Sequence, residues 1–265
     1  MSFRLALAQL HVEPGNHVQN LGRACDAIAE AARSGARLVL LPEALPFGWT
    51  DSSALKNAEP LPDGSLSRQL RVAAQQSRIF VCAGLIERVG DKLFNSALLI
   101  DPRGNVLIHH RKIYELDIAQ HLYSLGDRLS VATTELGTIG VMICADGFAP
   151  GQVISRALAL MGAQIIVSPC AWAVPADHDN EKDPYGKLWV DNYGPVARDF
   201  RIWIAGCSNV GPIADGPWKG RKCIGCSMVV APNGQPIARA PYAEDASTIL
   251  YSEIELEPRP AQGTG

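Results

Sequence analysis

Residues 37–43, RLVLLPE, decide how the chain is read: an apolar run of strand length is stopped by Pro42 and followed at once by the carboxylate of Glu43. Proline has no N–H for a strand ladder, so the run ends there. Outward toward the N-terminus, residues 17–34 (HVQNLGRACDAIAEAARS) space apolar side chains at helical intervals before Gly35, and residues 3–9 (FRLALAQ) alternate as a half-buried strand does. In the other direction, Ser65 can cap an amphipathic helix running to about Arg78, and the apolar run 79–84 (IFVCAG) reads as the next strand. The core pattern is strand, helix, strand, helix, strand.

Further along, LFNSALLID (93–101) and NVLIHHRK (105–112) flank Pro102-Arg103-Gly104-Asn105, which predicts a β-hairpin. The α/β alternation resumes with a strand at 138–143 (TIGVMI), a helix at about 151–161 and a strand at 164–168. Strands are expected at 201–207, 224–231, 235–239 and 247–254, with Pro232-Asn233-Gly234 as the turn between the second and third. The polar stretch 173–200 reads as a loop-bearing insertion beside a site, and the chain from about 257 as a flexible tail. Many strands with four or so helices imply a layered α/β architecture in one domain spanning 1–265.

Composition narrows the function. The chain has 265 residues, 47% of them hydrophobic, enough for a sizeable core. Its 27 acidic and 24 basic side chains give a net charge of −3 without the basic clusters a phosphate backbone demands, so nucleic acid is not an expected partner. The N-terminal segment is too short and alternating for a signal peptide or membrane span, so a soluble cytoplasmic protein is expected. Seven cysteines, an odd number in mostly apolar contexts, fit reduced thiols. Cys223 and Cys226 form one C-x-x-C without a second pair or a histidine cluster, so no metal is assigned.

Three reactive side chains follow or end strand candidates: Glu43 after RLVLLP, Lys112 ending NVLIHHRK, and Cys144 ending TIGVMIC. Each alone has an ordinary reading, as a loop carboxylate, an edge charge and a small core thiol. In order and context, LLPEALPFGW, HHRKIYEL and VMICADGFAP resemble the motifs of the nitrilase superfamily, the carbon–nitrogen hydrolases. FRLALAQL near the start and GRKCIGCSMVVAPNGQPIA near the end extend that resemblance over nearly the whole chain.

The resemblance implies a four-layer αββα sandwich, no metal or organic cofactor, and a homodimer or larger homo-oligomer. It places Glu43, Lys112 and Cys144 in the catalytic positions, acting on a small-molecule amide, N-carbamoyl compound or nitrile. The chemistry suits those roles. A thiol is a strong nucleophile, a carboxylate can take its proton and return it to the leaving amine, and an ammonium with the backbone N–H of Ala145 can stabilise the tetrahedral anion.

The family often carries a second carboxylate about eight residues after the lysine. Here DIAQHLYSLGD puts Gln120 there, a residue that can bind but not act as a base, with Glu115 and Asp117 nearby as compensating candidates. Gln120 also motivates an alternative reading, a weakened member that binds or assembles. Asp146 matches an acidic position that would orient the turn. Trp172, in SPCAWAVP, is expected against the substrate, with Trp49 and Tyr114 as further pocket candidates; Asp177, His178, Asp179 and Glu181 lie in the polar insertion. His109 and His110 are adjacent on a strand and point to opposite faces, so both cannot serve one site, and a Cys–His dyad is a secondary mechanism.

Overall fold

The computed structural model describes residues 1–258, so the tail expected from about 257 lies, from residue 259 on, outside the described residues. Six strands build a first sheet: β1 (Ser2–Gln9), β2 (Ala36–Leu40), β3 (Phe80–Val89), β4 (Lys92–Ile100), β5 (Val106–Arg111) and, last in the chain, β15 (Thr248–Glu255). Their order is β15-β1-β2-β3-β4-β5, with β1, β2 and β3 parallel and both edges antiparallel. The β4–β5 hairpin is the one the Pro-Arg-Gly-Asn turn predicts, Gly104 taking the positive φ of 81°.

A second six-stranded sheet runs β14-β13-β10-β8-β7-β6. It comprises β6 (Val131–Thr134), β7 (Gly137–Val141), β8 (Ile165–Cys170), β10 (Trp203–Ser208), β13 (Met228–Val230) and β14 (Pro236–Arg239). A small sheet of β9 (Ala173–Val174), β11 (Val210–Pro212) and β12 (Lys222–Ile224) lies beside it in sequence and forms its own ladder.

Period-two alternation sorts the side chains into layers. Leu5 and Leu7 of β1, Leu38 and Leu40 of β2, and Cys82 of β3 pack against Ile139 and Val141 of β7, Ile165 and Val167 of β8, and Ala205 of β10. The sheets therefore face each other. Their alternate residues face outward: Ala6, Ala8, Val39 and Val81 meet α1 (His17–Arg33) and α3 (Ser65–Ser77), while Ile166, Ile204 and Met228 meet α4 (Val153–Leu160) and α5 (Lys187–Phe200). The short α2 (Ala54–Asn57) follows the first loop. The result is the αββα order expected. Each fully buried Leu or Ile contributes about 1.5–3 kcal/mol relative to exposure, and strands buried on both faces read as unbroken apolar runs for that reason.

Two expectations need correction. The stretch 173–200 is not all loop, because Lys187–Phe200 is a helix whose Trp189, Tyr193, Val196 and Ala197 are buried. Gly194 and Pro195 disguised it; Gly194 is required by close approach, since a Cβ there would lie 2.8 Å from the Gly234 carbonyl oxygen. The run 224–231 is not one strand. Gly225 and Cys226 both take positive φ, 69° and 60°, and divide it into the end of β12 and a separate β13.

Candidate active site

Glu43 stands three residues beyond β2, Lys112 directly after β5, and Cys144 opens a short 3-10 turn (Cys144–Phe148) after β7. The first two come from one sheet and the third from the other, so the site forms across the facing sheets. The Glu43 turn is anchored on both sides: Glu43 N–H donates to the Cys170 carbonyl (3.1 Å) at the end of β8, and Gly84 N–H to the Pro42 carbonyl (3.0 Å). A Cβ on Gly84 would sit 2.5 Å from Glu43 Cα, so a bare backbone is needed where β3 passes the turn.

Cys144 adopts φ 43°, in the left-handed region, a conformation that costs a non-glycine residue about 1–2 kcal/mol. Neighbours enforce it. Cys144 N–H donates to Ser168 Oγ (3.0 Å), and the buried Asp146 accepts Ile143 N–H at Oδ2 (2.9 Å). The same Asp146 pairs with His110 Nε2 (2.8 Å) and accepts Ile113 and Tyr114 N–H at Oδ1 (3.0 and 2.8 Å). One carboxylate thus fastens the turn bearing Cys144 to the segment bearing Lys112. His109 points the other way and meets Glu87 Oε2 at 2.9 Å, as alternation on a strand requires.

Lys112 is 2% exposed, and its Nζ donates to Glu43 Oε1 (2.9 Å) and Glu115 Oε1 (2.8 Å). Asn95 Nδ2 bridges the two carboxylates, at 2.6 Å from Glu43 Oε1 and 3.3 Å from Glu115 Oε2. Burial opposes the Lys112 charge, but Glu43 and Glu115 outweigh it and hold the ammonium pKa well above its ordinary value. The Glu115 carboxyl is pushed up, first by burial and with the help of Glu43, against the pull of Lys112. The Cys144 thiol is pushed well up by burial, by its contact with Cys170 and by the Glu43 charge, while Lys112 opposes. Its resting form is the thiol.

A cavity of about 200 Å3 reaches Glu43, Lys112 and Cys144 and is walled largely by aromatic rings. Trp49 and Trp172, both expected there, line it. Ala145 is fully buried in the turn directly after Cys144. Three expected residues lie outside the lining, Ala145 in that buried turn and two others at the surface. Tyr114 is exposed and packs edge-on against Phe148 at 6.1 Å between ring centroids. Gln120 is exposed because the 3-10 turn Asp117–Ala119 folds its amide back onto Asp117 Oδ1 (3.2 Å) and the Glu115 carbonyl (3.4 Å). Of the two compensating candidates, Glu115 is at Lys112 and Asp117 is at the surface.

Phe148, Tyr185, Trp189 and Trp218 also line the cavity and were not singled out from sequence. Trp189 could have been found from its helical spacing with Tyr193, Val196 and Ala197. The charged loop candidates face elsewhere: His178 Nδ1 meets the Tyr242 hydroxyl (2.8 Å), and Asp179 accepts Glu181 N–H (3.0 Å). Cys223 and Cys226 pack into different apolar clusters.

Comparison with known proteins identifies the family. Residues 4–259 match the carbon-nitrogen hydrolase family. The omega-amidase NIT2 of Mus musculus is 33% identical over 97% of this chain and 90% of its own length, and a nitrilase of Pyrococcus abyssi is 29% identical over 96% and 90%. Among solved structures, a variant of the amidase from Nesterenkonia sp. AN1 superposes with a TM-score of 0.80 at 24% identity, over 96% of this chain and 93% of that one. Saccharomyces cerevisiae Nit3, a member of branch 10 of the nitrilase superfamily, gives 0.80 at 24%, over 97% and 90%. The match from the first strand to the last, joined to a full-length relative of one-third identity, establishes that the chain belongs to the carbon-nitrogen hydrolase family and is an enzyme of that class.

Proposed function

We propose that this enzyme hydrolyses the amide bond of a small molecule through a thioester on Cys144, with Glu43 as base and acid and Lys112 as the electrostatic stabiliser. The observation that carries the reading is the buried Glu43–Lys112–Glu115 cluster, at 2.9 and 2.8 Å, opening with Cys144 into one cavity. Further support comes from the Nesterenkonia amidase, described with acrylamide, or the acetamide moiety of fluoroacetamide, added at its active-site cysteine.

In the first half-reaction the Cys144 sulfur forms a bond to the amide carbon as its proton passes to Glu43, and the carbonyl electron pair moves onto oxygen. Lys112 and the Ala145 N–H stabilise that oxyanion. Its collapse breaks the carbon–nitrogen bond, and the departing amine takes the proton from Glu43. Water then attacks the thioester, giving its proton to Glu43, and the carbon–sulfur bond breaks to release the acid and regenerate the thiol. Glu115 is a positioning residue that holds Lys112 together with Glu43.

The same proposal takes residues 1–265 as one hydrolase domain, working in the reducing cytoplasm where its seven free thiols stay unpaired. It also assigns a homo-oligomer, built on the exposed Val153, Leu160 and Met161 around α4, which light scattering would read directly. The decisive experiment is a screen of amides, N-carbamoyl compounds and nitriles for ammonia release, with intact-mass detection of an acyl adduct. Amide turnover lost in Cys144→Ala is the expected result. Folded protein inactive on every amide would overturn the reading, and exclusive turnover of nitriles would replace it with nitrile hydrolysis.

A further inference from the structure

We infer that the cavity selects uncharged amides whose acyl group carries an aromatic ring. The inference rests on the amide-hydrolase reading and deepens it. Two aromatic walls face the reacting groups. On one side Trp172 stacks on Trp189, with centroids 4.5 Å apart and planes 23° from parallel, and Phe148 leans on Trp189 at 5.4 Å. On the other, Trp49 meets Trp218 edge-on at 5.0 Å. Tyr185 closes the wall by accepting the Trp189 Nε1–H at 3.0 Å. Trp172 and Trp189 are almost fully buried and stacked on each other, so they form a rigid wall against which a flat group can lie.

The charges point the same way. Among the described residues that line the cavity, Lys112 is the one that carries a positive charge, and its ammonium is already bonded to two carboxylates, Glu43 and Glu115. With both carboxylates ionised the cluster is net −1, and with Glu115 protonated it is neutral. Neither state leaves a positive charge for a substrate carboxylate. An anionic acyl group would be stripped of water against indole and phenyl faces with no cationic partner, which is strongly unfavourable. Size agrees as well. An apolar cavity of roughly 150 Å3 holds benzene, so about 200 Å3 takes one ring together with a carboxamide.

The test compares phenylacetamide, acetamide and succinamate, the last an amide of similar length bearing a free carboxylate. Ammonia release gives kcat/KM for the wild-type enzyme, and calorimetry gives binding to the Cys144→Ala protein, where chemistry is blocked. Burial of one ring is expected to raise kcat/KM for phenylacetamide about 10- to 100-fold over acetamide. Succinamate should fall below acetamide, and Trp189→Leu should shrink the phenylacetamide-to-acetamide ratio about tenfold. Succinamate matching or exceeding phenylacetamide, in turnover or in binding to Cys144→Ala, overturns the inference. Selective binding of phenylacetamide with no amide turned over would support the aromatic wall while striking the hydrolase assignment, so the two failures are told apart.

Discussion

Glu43 and Glu115 both hold Lys112, yet they act differently on the chemistry, and substitution separates them. Glu43→Gln removes the proton carrier, so amide hydrolysis should fall about 10²- to 10⁴-fold. Loss of its negative charge also lowers the Cys144 thiol pKa, because Glu43 is one of the groups that raise it. That lower pKa offsets the loss of an acceptor for the sulfur's proton, so alkylation of Cys144 by iodoacetamide at neutral pH should fall far less than turnover, as followed by intact mass; amide turnover undiminished in Glu43→Gln would remove Glu43 as the base. Glu115→Gln withdraws one of the charges that raise the Lys112 pKa. The ammonium is then lost at lower pH, so the alkaline limb of the kcat profile should move down; an unmoved limb would remove Glu115 from the site. At this scale the sequence brought three residues together and misplaced two, Tyr114 and Gln120. Glu43, Lys112 and Cys144 each have an ordinary reading alone, and it was the resemblance of their three motifs to the carbon–nitrogen hydrolases that joined them. Gln120 was misplaced because spacing along the chain cannot show that the 3-10 turn Asp117–Ala119 swings it to the surface.

Single elements are set by contacts that no local pattern announces. Gly84 lies within the apolar strand β3 and looks replaceable, yet its missing side chain is what admits the Glu43 turn. Gly84→Ala should cost about 1–3 kcal/mol of stability, read from urea melts, with activity falling more steeply than stability because Glu43 is pushed from Lys112. A variant as stable and active as the parent would mean that the turn does not need this approach. The helix α5 teaches the converse. Its buried face was present as Trp189, Tyr193, Val196 and Ala197, but Gly194 and Pro195 are strong breakers of helical pattern. Tertiary packing overrode them, since Gly194 is where the helix meets the turn at Gly234. With α5 read as loop, the Trp189 wall of the cavity was out of sight. The β12–β13 break was equally hidden, because positive φ at Cys226 follows from packing and not from residue type.

For the molecule as a whole, acid resistance has an identifiable contributor away from the catalytic cluster. Glu87 is buried, and though burial alone would raise its pKa, Arg111, His109 and Ser96 more than compensate and bring it from 4.5 down to about 2. Its stabilising contribution is present above the unfolded-state value near 4.5 and is lost as pH falls toward about 2. At about 1.4 kcal/mol per pH unit this amounts to about 3 kcal/mol. Glu87→Gln should therefore lower stability at pH 7 and flatten its fall between pH 5 and 2 in denaturant titrations; an identical pH dependence would refute the assignment. The layered architecture itself was only half legible. Alternating strands and helices pointed to α/β layers, but that the two sheets face each other depends on which side of each doubly buried strand meets which partner. Such strands carry no polar face to reveal it. The order of the first sheet has a temporal consequence. β1 lies between β2 and β15, and β15 pairs along its whole length, from Ser2 opposite Glu255 to Gln9 opposite Thr248. During synthesis on the ribosome one edge of β1 waits, with its amide and carbonyl groups unpaired, for a strand some 240 residues away. Nascent chains stopped short of β15 keep an open apolar edge that templates association with their own kind. Pairing of β15 thus closes that edge of β1.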